Sequence, residues 1–191
     1  MTKKPVLLGL ILFIITMIIF FIVYFISGVN YFDNSIKINA FLLPVLYCAF
    51  AFVAVRSYWK EHNTIAFKEA FSKAFTTMFV GGFLSMLSIF IYLNYVDKGA
   101  KDLLNYQYVE RQKAELNKEY ESAKKILAKD QDIQDLEQKY KERIQSFAPE
   151  KVKDKDMLTA SHFSAYFAAI LIFYLILSVF FGAFFRSKSA Q

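Results

Sequence analysis

Side chains that carry chemistry are few, and they are badly placed to act together. The chain of 191 residues has two histidines, His62 and His162, and one cysteine, Cys48. A zinc or iron centre needs several His, Cys or carboxylate ligands at one place. The two histidines fall at boundaries on opposite sides of a membrane, so they cannot share a metal. Cys48 sits inside an apolar run and can form no intramolecular disulfide. The sequence has no His-Glu-x-x-His, no glycine-rich phosphate loop and no Gly-x-Ser-x-Gly elbow. The carboxylates of residues 97–162 alternate with lysines, as on a solvated helix face. Six tyrosines (Tyr24, Tyr47, Tyr92, Tyr95, Tyr166 and Tyr174) would suit a lipid or quinone pocket, although interfacial belts and packing account for most of them more cheaply. The expectation is a protein without catalytic, cofactor or metal residues, and not an enzyme.

The elements around these residues are spans. Hydrophobic residues make up 56% of the chain, above the ~45–50% of soluble domains, and their distribution is decisive. Residues 6–26, 38–55, 76–96 and 163–185 carry no charge. A bilayer core of ~30 Å takes about 20 apolar residues as helix, so the fold class expected is all-α with four transmembrane helices. Lys3 and Lys4 precede the first run as in a secretory signal. That run is longer than the ~7–15 residues of a signal core and no Ala-x-Ala site follows, so it is read as a retained span. Pro5 suits the first turn of its helix. No span carries Asp, Glu, Lys, Arg or His in its core, which argues against a proton-coupled carrier. In the third run Gly81, Gly82, Ser85 and Ser88 form a small-residue stripe, with Ala74 and Thr77 below it. Such a stripe lets helix backbones approach closely; a hinge at the glycine pair is the alternative.

Charge gives the orientation. Lys3, Lys4, Arg56, Lys60, Lys68, Lys73, Arg186 and Lys188 lie on one side of the spans, and only Lys37 lies in the opposite short loop. The positive-inside rule then puts both termini in the cytoplasm. Residues 97–162 hold equal numbers of acids and bases, so the net charge of +6 belongs to the cytoplasmic rim. There it serves orientation and contact with anionic lipid, and no nucleic acid is expected as partner. The stretch "NTIAFKEAFSKAFTTMF" follows a basic interfacial turn, "RSYWKEHN". Asn63 or Thr64 is expected to cap its helix, and residues 56–75 are read as a cytoplasmic foot that runs into the third span.

The expected domains are 1–96 (three spans and the foot), 97–162 (an extracytoplasmic helical hairpin) and 163–191 (the fourth span and a basic tail). Residues 102–147 are rich in helix formers. Glu121 with Lys125, Asp135 with Lys139 and Glu137 with Lys141 have favourable helical spacing. Leu116, Tyr120, Leu127, Leu136, Tyr140 and Ile144 keep a heptad-like seam, read as a surface for a partner or a second copy. The seam is interrupted at "AKDQD", where Asp130 or Asp132 would cap a second helix, and Pro149 would end that helix. A hairpin is expected; one unbroken coiled coil is the alternative.

The order of parts resembles an uncharacterised family of small four-span membrane proteins common in Bacteroidota, known only as a domain of unknown function. The resemblance lies in "KKPVLLGLIL" at the start, "TIAFKEAFSKAF" in the foot, "YLNYVDK" before the charged loop, "FAPE" closing it, and "LSVFFGAFFRSK" at the end. It implies a bacterial inner membrane and an antiparallel four-helix bundle, and brings no activity or functional residues. Two roles fit the residues. One is a scaffold or accessory subunit that presents the hairpin to a partner or second copy. The other is a lipid or apolar-solute binding or transport protein with an aromatic-lined groove between spans.

Overall fold

A computed structural model describes residues 3–127, 130–148, 151 and 156–186. Seven α-helices follow one another among the described residues: α1 (Lys3–Ser27), α2 (Tyr31–Lys37), α3 (Leu43–His62), α4 (Phe67–Ile91), α5 (Lys98–Ile126), α6 (Asp130–Gln145) and α7 (Ala160–Phe185). No strand occurs among the described residues. Four helical stretches are long and apolar enough to cross a membrane: Lys4–Ser27, Tyr31–His62, Phe67–Val96 and Ala160–Phe185. The chain is an all-α protein with four such helices and a separate helical pair.

The second stretch is longer than its uncharged core. A 3-10 turn at Gly28–Asn30 links α1 to α2, with Gly28 at φ +45°, a conformation open to glycine without steric cost. The segment expected to be a short loop is thus mostly helical. A π turn, Ile38–Leu42, then joins α2 to α3. Pro44 explains its place. Proline has no N–H to give the carbonyl four residues back, at Ala40, and its ring crowds that carbonyl, so the ladder widens there. At the other end, "RSYWKEH" continues α3 instead of forming a turn. Asn63 is the C-cap of α3, in the left-handed region at φ 58°, and its N–H donates to the Trp59 carbonyl at 2.8 Å. The expected N-cap role of Asn63 or Thr64 is therefore wrong. Left-handed geometry suits asparagine after a helix, and α4 starts only at Phe67. There Glu69 supplies the cap, its carboxylate accepting from the Ala66 N–H at 3.0 Å. From Phe67 the helix runs unbroken through the foot into the apolar run.

One compact unit comprises residues 1–92 and 160–191. Within it α4 packs against α1, α3 and α7. Leu12, Tyr47, Ala51, Val55, Met78 and Phe181 are among the side chains of its core. Where helices meet in lipid, close backbone approach replaces the hydrophobic drive. Gly9 on α1 and Gly81 on α4 make one crossing: a Cβ on Gly9 would lie 2.8 Å from Cβ of Val80, and one on Gly81 would lie 2.8 Å from Leu12. Gly82 faces Tyr174 of α7, and Gly182 of α7 receives the ring of Phe67. The buried Thr and Ser hydroxyls among the described residues are all partnered. Thr16, Ser85 and Ser178 donate to carbonyls four residues back, at 2.8, 2.8 and 2.6 Å, and Thr77 donates to the Pro5 carbonyl at 3.1 Å.

The second unit comprises residues 93–159. Asp97 caps α5 by accepting from the Ala100 N–H at 2.9 Å, so the helix begins four residues before the expected start. Leu127 leaves the helix in extended geometry, and α6 begins at Asp130. Residues 128 and 129 of the expected break lie outside the described residues, as do Pro149 and the tail lysine Lys188. The α6 helix ends at Gln145, and a turn follows in which Ser146, Phe147 and Ala148 donate to carbonyls three residues back. Contacts between α5 and α6 run antiparallel: Asn117 meets Tyr140, and Lys124 meets Glu137. At 1.5 Å per residue α5 is about 43 Å long and α6 about 24 Å, so α6 covers only the later half of α5. The earlier half meets the return segment. Asn105 and Lys101 hold Asp156, and Asn94 donates to the Leu158 carbonyl at 3.2 Å.

Candidate functional site

In the helical pair two of the seam residues, Tyr120 on α5 and Tyr140 on α6, meet across the two helices. Leu116 is buried, whereas Tyr120, Leu127, Leu136, Tyr140 and Ile144 are half-buried. The rings of Tyr120 and Tyr140 stack with centroids 4.2 Å apart. The Tyr140 hydroxyl donates to Asn117 Oδ1 at 2.6 Å and the Tyr120 hydroxyl donates to Glu137 at 3.3 Å. Lys124 Nζ reaches the Tyr120 hydroxyl and the Glu137 carboxylate, and these hydrogen bonds raise its pKa above the ordinary lysine value. Arg143 and Glu119 pair across the same interface at 3.5 Å. The within-helix pairs expected for Glu121, Asp135 and Glu137 do not form among the described residues. Glu137 turns to Lys124 on the facing helix because the docking of α6 brings that ammonium to 3.4 Å. Where α5 meets the return segment, burial pushes the Asp156 carboxyl up. Hydrogen bonds from Lys101, the Leu158 N–H and Asn105 outweigh it and hold the group below its usual range.

Of the small-residue stripe, Gly81, Gly82 and Ser85 are buried and Ser88 is half-buried. The six tyrosines divide between places. Tyr47 and Tyr174 stack 5.4 Å apart in the bundle core, and the Tyr47 hydroxyl lies 3.4 Å from Thr16 Oγ1. Tyr24 and Tyr92 join Phe20 and Phe21 in an aromatic cluster. Tyr95 and Tyr166 are exposed. The set does not line one pocket. On α4, Phe67, Phe71, Phe75, Phe79 and Phe83 stack in a ladder along one face.

One feature of the first unit was not legible as a site in the sequence. At the end of the bundle where α1 and α4 begin and α3 ends, Lys4, Pro5, Ala54, Tyr58, Glu61, His62 and Lys73 line an open cleft of about 210 Å³ with Ser57. Lys4 pairs with Glu61 at 2.8 Å. The Tyr58 hydroxyl donates to Glu69 at 3.0 Å, and the His62 ring stacks on Tyr58 with centroids 4.1 Å apart. His62 Nδ1 lies 3.0 Å from the Tyr58 carbonyl, and Lys73 Nζ sits 4.7 Å above the Tyr58 ring. Four residues recur at α3 and α4 spacings (Tyr58 with His62, Glu69 with Lys73), but only packing of the helices brings them together. His162, by contrast, lies in the first turn of α7, whose Phe163 meets Phe90 near the other end of α4. The histidines are thus at opposite ends of the bundle. No cluster of three or more metal-ligating side chains occurs among the described residues.

No curated protein and no solved structure matches the chain. Residues 7–187 match a family model described as protein of unknown function (DUF4199). That match covers nearly the whole sequence, through all four apolar helices and the helical pair between them, and the chain belongs to this family of unknown function.

Proposed function

We propose that this is a non-enzymatic integral membrane protein, a scaffold or accessory subunit that presents its helical pair to a protein partner or a second copy. The supporting observation is the half-buried seam: α6 is too short to cover α5, and Tyr120, Leu127, Leu136, Tyr140 and Ile144 keep part of their surface. Exposed Tyr106 and Ile126 extend the apolar surface of α5. In this reading both termini are cytoplasmic, the pair is extracytoplasmic and the membrane is a bacterial inner membrane. The asymmetry of eight basic residues against one in the short flanking segments supports that orientation. The other reading, a groove for lipid or apolar solute between the spans, has less support, because Tyr47 and Tyr174 fill the bundle core against each other.

The test is purification from the native membrane in mild detergent, followed by identification of co-purifying protein. Changing Tyr120 and Tyr140 to Ser should leave insertion of the four spans intact and remove the partner or the self-association. A variant that keeps every wild-type partner would refute the reading, and lipid retained between the spans, away from their ends, in place of protein would favour the groove.

A further inference from the structure

We infer that the cleft between the ends of α1, α3 and α4 binds a phosphate-bearing anion, most directly the headgroup of an anionic phospholipid. Lys4, Lys73 and His62 bring three nitrogen centres to one opening, and Ser57 adds a hydroxyl. One carboxylate, Glu61, lines it and is paired with Lys4. Lys73 has no carboxylate within ion-pair distance among the described residues; its contact is with the Tyr58 ring. A cation over an aromatic face keeps its full charge. The lining thus has two lysines against one carboxylate, with the Glu69 carboxylate, near Lys73 and His62, just outside it. Glu69 is occupied with the Tyr58 hydroxyl and the Ala66 N–H, so it braces the ring beneath Lys73.

Size and place narrow the occupant. A cleft of about 210 Å³ is below the ~300–1,000 Å³ of sites that enclose a whole drug-sized ligand, and it suits a headgroup whose chains stay outside. Apolar Pro5 and Ala54 share the lining with the cations, as an amphiphile requires. The adjoining Trp59 is partly exposed on α3, in keeping with the level at which bilayer headgroups lie. Basic pockets between transmembrane helices are a recurrent means of holding anionic headgroups, and lysine ammonium is a competent point-charge ligand for phosphate. The same donors would take free phosphate, so the source has to be separated by experiment.

The chain has a single tryptophan, Trp59, next to Tyr58, which serves as a reporter. The full-length protein in nonionic detergent is titrated with dihexanoyl phosphatidylglycerol, dihexanoyl phosphatidylcholine or sodium phosphate. Trp59 fluorescence is followed, and native mass spectrometry counts bound adducts so that a silent fluorophore does not hide binding. Phosphatidylglycerol should bind saturably and phosphatidylcholine should not. Lys73→Gln and Lys4→Gln should each weaken binding about tenfold, the scale of one charge-assisted hydrogen bond. Lys73→Arg should retain it, and Glu61→Gln should retain or tighten it. Phosphate that binds as tightly as the lipid, with the same losses in the glutamine variants, would support the anion site and identify free phosphate as its occupant. Equal binding of phosphatidylcholine would overturn the inference. So would the absence of adducts with both anions, loss of binding in Glu61→Gln, or an equal loss in Lys68→Gln, whose side chain does not line the cleft.

Discussion

The ring of Tyr174 on α7 lies in the space that a side chain on Gly82 of α4 would occupy. A Cβ on Gly82 would come 2.8 Å from Cε2 and 2.9 Å from Cζ of that ring, and would overlap its hydroxyl. The ring cannot swing aside, because it is buried and stacked on Tyr47. In an ordinary helix interior Gly→Ala stabilises by up to ~1 kcal/mol. Here the sign reverses. Gly82→Ala should destabilise the bundle by about 1–3 kcal/mol, the cost of overpacking a filled core, seen as a lower melting temperature in detergent. In a Tyr174→Ala background the same change should cost far less, and an unchanged penalty there would assign the effect to something other than this contact.

The rest of the stripe should show a graded response. A Cβ on Gly81 would lie 2.8 Å from the Leu12 side chain and 3.1 Å from the Gly9 carbonyl. A leucine end can rotate where a stacked tyrosine cannot, so Gly81→Ala should be milder than Gly82→Ala. Gly81→Leu should separate α1 from α4 and cost as much as Gly82→Ala or more. Ser88→Ala, at a half-buried position, should be close to neutral. Thermal unfolding of the three alanine variants checks the order, and equal losses at all three would contradict it.

Some of this was readable in the sequence and some was not, for physical reasons. Long uncharged runs force a helix wherever backbone groups must be satisfied internally, so four spans were visible without any tertiary knowledge. The ends were harder. Asn63 is chemically suited to begin or to end a helix, and only the chain direction after Trp59 made it a C-cap. Glu137 has Lys141 one turn along and Lys124 across the hairpin. Sequence spacing shows the first option, while helix docking selects the second. The rim cleft was least legible, since Lys4 is 69 residues from Lys73 and no local pattern joins them. The cue in the sequence is the gathering of basic and aromatic residues in "RSYWKEHN".

The junction at Asp156 should be sensitive to acid. Its carboxyl pKa is held below the ordinary value, so the linked stability is present above the unfolded pKa of about 3.9. It is lost as pH falls through the lower folded value. Asp156→Asn should cost about 1 kcal/mol at neutral pH, a charge-assisted bond discounted for partial exposure, because the amide cannot replace the ion pair with Lys101. The difference between variant and wild type should shrink below about pH 4. Thermal unfolding across that range is the measurement, and a difference that persists undiminished at pH 2–3 would remove Asp156 ionisation as the cause.

Orientation can be tested with single cysteines placed at Thr2, Glu121 and Ser189 in a Cys48→Ala background. An impermeant maleimide applied to intact spheroplasts should label Glu121→Cys and spare the other two. Labelling of either terminal position would invert the topology proposed from the basic residues. Lack of labelling at Glu121, which is exposed on α5, would move the helical pair to the cytoplasmic side.

The helical pair should depend on the rest of the chain for its folding. Among the described residues its interface consists of one stacked tyrosine pair, a few half-buried aliphatic residues and four polar links: Tyr140 to Asn117, Tyr120 to Glu137, Lys124 to Glu137, and Arg143 to Glu119. Exposed ion pairs contribute at most ~1 kcal/mol each, and a scaffold this small without a disulfide seldom holds its fold alone. A peptide of residues 98–148 should therefore show little helix by far-ultraviolet circular dichroism in dilute buffer. In the full-length protein, where the chain on either side limits the freedom of the ends, the same segment should be protected from hydrogen exchange. Tyr140→Ser should then lower protection of α6 more than that of α5, since α5 is also held to the return segment through Asp156 and the Met157 N–H. Equal loss along both helices would mean that they unfold as one unit. A peptide that melts cooperatively as a monomer would show that the pair needs no support from its flanking chain.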